Sequence, residues 1–508
     1  MNKEAELKKL YVERENKRRL NSFPAYGALK LASWVSFALF LIIALSALSF
    51  TEGEGLTVSM TVFGAALVFL VSAVMSFFLA FKVKSDILRN GEVMRQTQKL
   101  GYFLLPFMFV FNVFAAIAGF MLIKKERHVE YLLGAWSILT SVAVMIISMM
   151  NIFKASVAPM FMFGMTALIA LTIFYIITTI LAVLWIKDKE VDKRMLPLGI
   201  LLIISSLSGN LFALVKGIII LSKLKHREKN IEWIEIVKRL FRNNMSLFGL
   251  FVITFLFSLS ICSAFTFDEN IALNSNFQTM LVAPGLEFPF GTDDFGRCVF
   301  TRIIFGARIS LTVGLISTIV PIIVGGFLGA VAGHYGNLPD NIIMRIMDVL
   351  FAVPGILLAI AIIAAFGANI TNLIIALSVW AVPMYARTMR AQVLSVSNSE
   401  FVEAAKAIGQ QRFLIVMKHI IPNSMAPIIV RATLGIGAAV LSTSALSFLG
   451  LGVEPHIPEW GNILRVGSRF LELHPHLAIY PGLAIVIIVL AFNYFGDGLR
   501  DALDPKLK

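Results

Sequence analysis

The chain has 508 residues, 58% of them hydrophobic and only 15% charged, with a mean hydropathy of +0.83. Soluble globular chains are roughly half apolar and a quarter charged, so the composition excludes that class and predicts an all-α polytopic membrane protein long enough for two domains. The net charge of +13 sits in short basic loops beside apolar runs; topology and anionic membrane lipid account for it better than nucleic acid, which is not an expected partner.

Residues 1–26 read as a charged, helical, cytoplasmic segment (Lys3, Glu4, Glu6, Lys8, Lys9, Glu13, Arg14, Lys17, Arg18, Arg19) with no visible cleavable signal peptide. Residues 27–222 read as a separate membrane bundle of about six segments, with apolar runs near 28–50, 57–81, 101–123, 131–153, 160–186 and 196–222. Each is long enough to cross about 30 Å of hydrocarbon at 1.5 Å per residue. Six full spans with both ends inside is the arrangement expected first. It places the loop 82–99 (Lys82, Lys84, Arg89, Arg95, Lys99) inside, but leaves Lys124, Lys125, Arg127, Lys187, Lys189, Lys193 and Arg194 outside, against the positive-inside rule.

A weak internal repeat offers a second arrangement. Asn112-Val113-Phe114-Ala115, Gly119 and the basic run Lys124-Lys125-Glu126-Arg127-His128 are echoed by Asn210-Leu211-Phe212-Ala213, Gly217 and Lys223, Lys225, His226, Arg227. The half is then two similar three-segment units. If the third segment of each is a re-entrant or kinked hairpin, every basic loop falls inside. Lys154 and Lys216, at or near ends of apolar runs, are expected to snorkel to the interface. No chemistry is legible in this half; oligomerisation, sensing, partner docking and a bundle of no discernible role all stay open.

Residues 223–244 form a basic, amphipathic linker (His226, Arg227, Lys229, Trp233, Lys238, Arg239, Arg242) suited to a helix at the membrane surface. Residues 245–508 then carry six spans near 246–266, 309–332, 342–366, 369–390, 423–447 and 477–496. Counting from inside places Arg387, Arg390, Lys406, Arg412, Lys418, Arg500, Lys506 and Lys508 in the cytoplasm. Arg297, Arg302, Arg308, Arg465 and Arg469 fall in structured outer loops at 267–305 and 448–476, and 333–341 is a short inner loop. Cys262 and Cys298 are too few for a disulfide framework, leaving one bridge or two free thiols.

Several patterns in this half carry a specific expectation. Gly291 and Gly296 bracket Asp293, Asp294 and Arg297, which suits a turn with an ion-paired cap; a cation site is the weaker reading. Gly314, Gly325, Gly326, Gly329 and Gly333 permit close helix packing. Pro321, Pro354 and Pro383 can kink spans. His456, His474 and His476 share a loop with Glu454, Glu459 and Glu472, donors that suit nickel or zinc, although surface histidines without metal explain them more simply. No GxxxxGK[ST], HExxH or GxSxG pattern occurs, so no catalytic residue, bound nucleotide or other cofactor is expected in this chain.

The most distinctive stretch is the polar island 398–422 between two apolar runs. Ser397, Asn398 and Ser399 offer caps for a helix over Glu400–Ala407, Gly409 supplies a left-handed stop, Arg412–His419 forms a second short helix, and Pro422 suits the first turn of the next span. A polar helical hairpin in any cytoplasmic loop would look the same on spacing alone.

Glu403-Ala404-Ala405, then Gly409, then Ile421-Pro422 resembles the "EAA" loop of ABC-importer permeases. Phe290-Gly291-Thr292-Asp293-Asp294-Phe295-Gly296-Arg297, Gly306-Ala307-Arg308-Ile309-Ser310-Leu311, Phe448-Leu449-Gly450-Leu451-Gly452-Val453, Pro458-Glu459-Trp460-Gly461 and the ending Gly496-Asp497-Gly498 through Asp504-Pro505 are similar to the "C" permease subunits of dipeptide, oligopeptide and nickel importers. The resemblance covers residues 235–508, and the long first half departs from it. It implies a six-helix type I permease fold in which Glu403, Ala404, Ala405, Gly409, Ile421 and Pro422 couple to a separate ATPase. It also implies a second permease subunit, two ATP-binding subunits that hold ATP and Mg, and an extracytoplasmic peptide-binding protein. A nickel importer, a peptide exporter, or a membrane sensor or assembly protein that no longer transports are the competing readings.

Overall fold

The structure is a computed structural model and describes residues 2–21, 23–46, 48–51, 55–58, 60–110, 112–123, 129–154, 156–187, 190–225, 231–241 and 243–504. The basic run 124–128, Lys189, His226, Arg227, Lys229, Arg242, Pro505, Lys506 and Lys508 lie outside the described residues, as do the side chains of Trp233 and Lys187. The chain divides into two compact units: Met1–Ile146 with Ala170–Leu207 and Leu211–Asn244, and Ile147–Ile169 with Ser208–Asn210 and Met245–Lys508.

The first-half elements begin with α1 (Asn2–Asn21), α2 (Pro24–Ser46) and a short antiparallel hairpin, β1 (Leu48–Thr51) with β2 (Gly55–Val58), in register Leu48 opposite Val58. Next come α3 (Met60–Asn90), α4 (Arg95–Leu100), a 3₁₀ stretch over Gly101–Val110, and α5 (Val113–Ile123). The second round has α6 (Val129–Met149), α7 (Phe161–Trp185), a two-residue hairpin of β3 (Ile186–Lys187) and β4 (Glu190–Val191), α8 (Met195–Ser205), α9 (Leu211–Lys225) and α10 (Ile231–Leu240). Among the described residues the all-helical expectation is modified by two small hairpins.

Six apolar segments are present here, but six full spans are not. The run at 101–123 is a 3₁₀ stretch containing Pro106 followed by an 11-residue helix, and the run at 196–222 is broken into helices of 11 and 15 residues. An 11-residue helix reaches only about 16 Å, half of a bilayer core. Each run folds back on itself through glycine. A Cβ on Gly119 would meet the Gly101 carbonyl at 2.5 Å, and a Cβ on Gly217 would meet the Gly199 carbonyl at 2.8 Å. The second arrangement, a hairpin in the third segment of each unit, is the one the chain adopts.

Lys216 and Lys154 do not snorkel. Lys216 is fully buried, donating to Thr178 Oγ1 (3.3 Å) and Thr179 Oγ1 (3.0 Å). Lys154, in the second unit, donates to Thr301 Oγ1 and lies over the rings of Phe267 and Phe300, 5.4 and 5.7 Å from their centroids. Both find hydroxyl or aromatic partners inside protein, which removes the reason to reach for water.

The second unit is built on α11 (Asn244–Thr266), α12 (Asn270–Leu273), α13 (Val299–Tyr335), α14 (Asn337–Ala352), α15 (Gly355–Phe366), α16 (Ile370–Ser397), α17 (Glu400–Ala407), α18 (Arg412–Ile415), α19 (Ile421–Phe448), α20 (Trp460–Ser468) and α21 (His476–Leu503). Five helices or helix runs here cross a membrane by length and composition, and α14 with α15 passes only as a pair bent by 86°. Pro354 stands at that break, so the expected span 342–366 is a broken one. Pro321 and Pro383 sit inside helices that continue past them. α13 starts ten residues before the expected 309, which puts Arg302 and Arg308 in the helix rather than in a loop, and Gly336 alone separates it from α14. The glycine stripe does pack helices: a Cβ on Gly325, Gly329 or Gly333 would run into the carbonyls of Val382, Ala386 and Arg390 in turn along α16. α14 is tied to α16 by Arg387 to Asp348 (2.8 Å) and by a two-bond contact of Arg390 with Asp340. Cys262 and Cys298 are free thiols.

Candidate functional site

The stretch 398–422 forms a short exposed helix, a turn and a return to the bundle. Ser397 and Asn398 end α16, and Ser399 is the N-cap of α17 without a side-chain bond. The expected side-chain cap is absent because Ser399 works through its carbonyl, which accepts from Val402 N (2.9 Å) and Glu403 N (3.3 Å). α17 ends in a Schellman turn. Gly409 has φ +78°, its N–H donates to the Lys406 carbonyl (3.0 Å), and Gln410 N–H donates to the Ala405 carbonyl (3.2 Å). Gln410 Oε1 lies 3.1 Å from His419 Nε2, closing the turn across α18.

The helix is amphipathic in the sense its sequence dictates. Val402 and Ala405 are buried with Met389, Val393, Ile415, Val416 and Ile420, and Ile421 packs against that cluster. Glu403, Ala404, Gly409 and Pro422 face outward. Ala405 therefore makes its close approach to the chain's own helices, and of the two alanines Ala404 presents the small outer surface. Around it lie apolar side chains that no packing need explains: Ile408 is 83% exposed, Phe413 59% and Met417 46%. The second short helix expected over Arg412–His419 is not separate: α18, a π-turn at Val416–Ile420 and α19 form one 37-residue run, Arg412–Phe448. Pro422 lacks an N–H for the preceding turn, and side chains serve the carbonyls there: Asn423 Nδ2 donates to His419 O (2.6 Å) and Ser424 Oγ to Ile420 O (2.9 Å).

A second feature was not legible in advance. A cavity of about 340 Å³ opens between α16 and α19. α19 lines it with one helical stripe, Arg431, Leu434, Gly435, Ala438, Ala439 and Ser442, and α16 with another, Leu377, Trp380, Ala381, Met384 and Tyr385; Ser317 and Thr318 of α13 complete it. Arg431 is its only charge. The signal for it was a single arginine inside an apolar run.

The loops before α13 and after α19 are held by buried acids. Asp293 accepts from Phe295 N (3.0 Å), Arg297 N (2.9 Å) and Arg297 Nε (2.8 Å), the expected ion-paired turn. Burial and the Asp293 charge push the neighbouring Asp294 carboxyl above its usual range. Glu459 is fully buried and accepts from Ser310 Oγ and Ser444 Oγ (both 3.0 Å) and from Gly461 N (2.8 Å), so it ties α13, α19 and α20 together. Burial raises its pKa, the hydroxyl and backbone donors lowering it only in part. That engagement removes Glu459 from the histidine cluster. His474 and His476 stack edge-on at 5.8 Å, while His456 lines a different cavity with Glu269 and Arg308. Among the described residues no three His, Cys, Asp or Glu side chains come together as metal ligands.

Residues 325–508 match the family described as binding-protein-dependent transport system inner membrane component. The chain is similar to the dipeptide transport system permease protein DppC of Alkalihalophilus pseudofirmus, 45% identical over 276 residues, which is 54% of this chain and 90% of the relative. It is similar to the glutathione transport system permease protein GsiD of Pectobacterium atrosepticum, 39% identical over 285 residues, 56% of this chain and 94% of the relative. A solved inward-facing structure of the MetNI methionine ABC transporter aligns over 40% of this chain and 97% of that chain, at 18% identity and a TM-score of 0.34.

Proposed function

This chain belongs to the inner-membrane permease components of binding-protein-dependent transport systems, and from that premise we propose that it is one transmembrane half of an ATP-driven importer of di- or oligopeptides. The observation that carries the reading is 45% identity to a dipeptide permease across 90% of that relative's length. The same identity favours peptide over nickel, and import over a sensing role.

In this reading residues 245–508 are the permease and 27–222 an accessory bundle, joined by the linker 223–244 after the charged segment 1–26. A second permease subunit completes the pathway. Two ATP-binding subunits hold ATP and Mg, one of them docking on α17, and an extracytoplasmic peptide-binding protein delivers substrate. Glu403 makes a polar contact in the ATPase groove, Ala404 lets the groove approach, and exposed Ile408, Phe413 and Met417 supply apolar area. Ala405 and Ile421 anchor the loop to the permease; Gly409 sets its turn and Pro422 its exit. Nucleotide-driven movement at the loop shifts the spans between outward and inward access. Because the two hairpins return to their side of origin, Arg18, Arg19, Lys82, Arg89, Lys99, Lys193, Arg194 and Lys223 gather on the side of the N terminus. The positive-inside rule makes that side cytoplasmic, with both termini there.

Gly409→Val tests the coupling. A Cβ there meets open space, so the only penalty is backbone strain at φ +78°, about 1–3 kcal/mol. Peptide uptake is expected to be lost while insertion and expression persist. Normal uptake by the stably inserted variant would sink the coupling role. Co-purification in mild detergent checks the partners: a second permease, two ATPases and a binding protein are the expected set.

A further inference from the structure

The cavity between α16 and α19 has one charge and several polar groups without partners, set in an apolar wall. Arg431 has no carboxylate partner among the described residues. Ser317 is 2% exposed, and its Oγ has no hydrogen-bond partner. Tyr385 is buried as a ring, and no hydrogen bond engages its hydroxyl among the described residues. A Cβ on Gly435, one turn beyond Arg431, would lie 2.6 Å from Tyr385 Oη, so that hydroxyl reaches the α19 stripe carrying the arginine. No acidic residue lines the cavity.

Energetics say this arrangement has a use. Arg431 follows Pro422 by nine residues of α19, about 13 Å along the axis at 1.5 Å per residue. A guanidinium at such depth costs about 2.5–3.5 kcal/mol on insertion scales unless it faces water or an anion. The unmade hydrogen bond at the buried Ser317 hydroxyl adds about 1–3 kcal/mol. A planar fork of N–H donors with nearby hydroxyls matches a carboxylate in two-point geometry. A compact cavity with few polar groups in an apolar lining is how small-ligand sites are built. We propose that Arg431, aided by Tyr385 and Ser317, receives the free carboxylate of the substrate during translocation, so that the pathway selects peptides bearing an unblocked acid end. The wall of Trp380, Met384 and Leu434 receives the adjoining apolar side chain.

This inference rests on the peptide-import reading, and the test separates the two. The full assembly, with its second permease, ATPases and binding protein, is reconstituted in proteoliposomes, and uptake of alanyl-alanine and of its C-terminal amide is measured beside ATP hydrolysis stimulated by peptide-loaded binding protein. Arg431→Gln is expected to lower uptake of the free acid roughly ten- to a hundredfold, the worth of a hydrogen-bonded charge contact. Uptake of the amide and stimulated hydrolysis stay within about twofold of wild type, and Arg431→Lys recovers part of the loss. Unchanged uptake of the free acid, an equal defect for the amide, or hydrolysis that falls in step with uptake each overturns it. If Arg431→Gln fails to assemble, Tyr385→Phe decides: a severalfold loss confined to the free acid supports the assignment, and no change ends it. A wild-type assembly that takes up no peptide at all overturns the import reading itself, and this inference with it.

Discussion

In the hairpin at residues 101–123, Gly101 meets Gly119, and Asn112 at the bend donates to Ser36 Oγ (2.7 Å) and Ser72 Oγ (2.8 Å), pinning the hairpin to α2 and α3. In the hairpin of α8 and α9, Gly199 meets Gly217, but the pin is a lysine. Lys216 reaches Thr178 and Thr179 on α7, lies within Coulombic reach of the fully buried Glu130, and Glu130 in turn pairs with Lys223 at 2.5 Å. At the repeat spacing that relates Gly119 to Gly217, Lys216 corresponds to Ala118, which is also fully buried, and α2 has no acidic residue. The backbone device is shared, as is a buried asparagine at the bend, Asn112 and Asn210; the buried lysine is not. Glycine contact and a polar anchor suffice to fold a re-entrant pair; an amide with two hydroxyls does this without burying charge, whereas the second hairpin carries a lysine–glutamate–lysine set whose desolvation must be offset.

The comparison can be broken most severely at Glu130. Glu130→Ala leaves two lysines facing no acid and should destabilise the first unit by about 3–5 kcal/mol, seen as a lowered midpoint of thermal unfolding in mild detergent. A midpoint within a degree of wild type would mean the lysines are neutral or hydrated. Next come the shared glycines. Gly101→Ala and Gly217→Ala each force a Cβ onto a backbone carbonyl or a neighbouring side chain, and about 1–3 kcal/mol of overpacking is expected from either. Similar losses at the two sites would sharpen the case for one backbone device used twice; a loss at one only would break it. The smallest effect is expected from Lys216→Met, which makes the second hairpin resemble the first. Glu130 keeps its contact with Lys223 and the desolvation cost of one buried lysine is removed, so little loss of midpoint is expected. A clear loss would show that the charge itself holds the hairpin.

Much of this was readable in the residues, and the failures are instructive. Long helices such as α11, α16 and α21 follow directly from apolar runs. The turn at Gly409 follows from a glycine after a strong helix-forming stretch. The break in 196–222 is marked by the polar, turn-forming stretch Ser206-Leu207-Ser208-Gly209-Asn210, which a long hydropathy window averages over; that the run folds back rests on a glycine contact between two parts of it, a tertiary fact. The early start of α13 was masked by Arg302 and Arg308, polar residues that read as loop; within the helix Arg302 is buried and its Nη1 donates to the Ala272 carbonyl at 2.9 Å, while Arg308 is exposed. Arg431 vanished for the opposite reason, since one charge barely lowers the average of a 25-residue window. The apolar outer surface around Ile408 was not legible, because Ile408 follows Ala405 by three residues, a spacing that points to the buried face, yet at the end of α17 it is 83% exposed.

The unbroken run from Arg412 to Phe448 has a mechanical meaning. At 1.5 Å per residue it is a beam about 55 Å long, with one end in the exposed loop and Arg431 close to its midpoint. A beam of that length pivoting near its far end multiplies small angles: each degree of tilt sweeps the loop end by about 1 Å and Arg431 by about half as much. Under the proposed coupling, a displacement of several ångströms at α17 would become a shift of a few ångströms at the guanidinium, enough to break the proposed hydrogen bond to a carboxylate. Transmission and release would be one stroke of one lever.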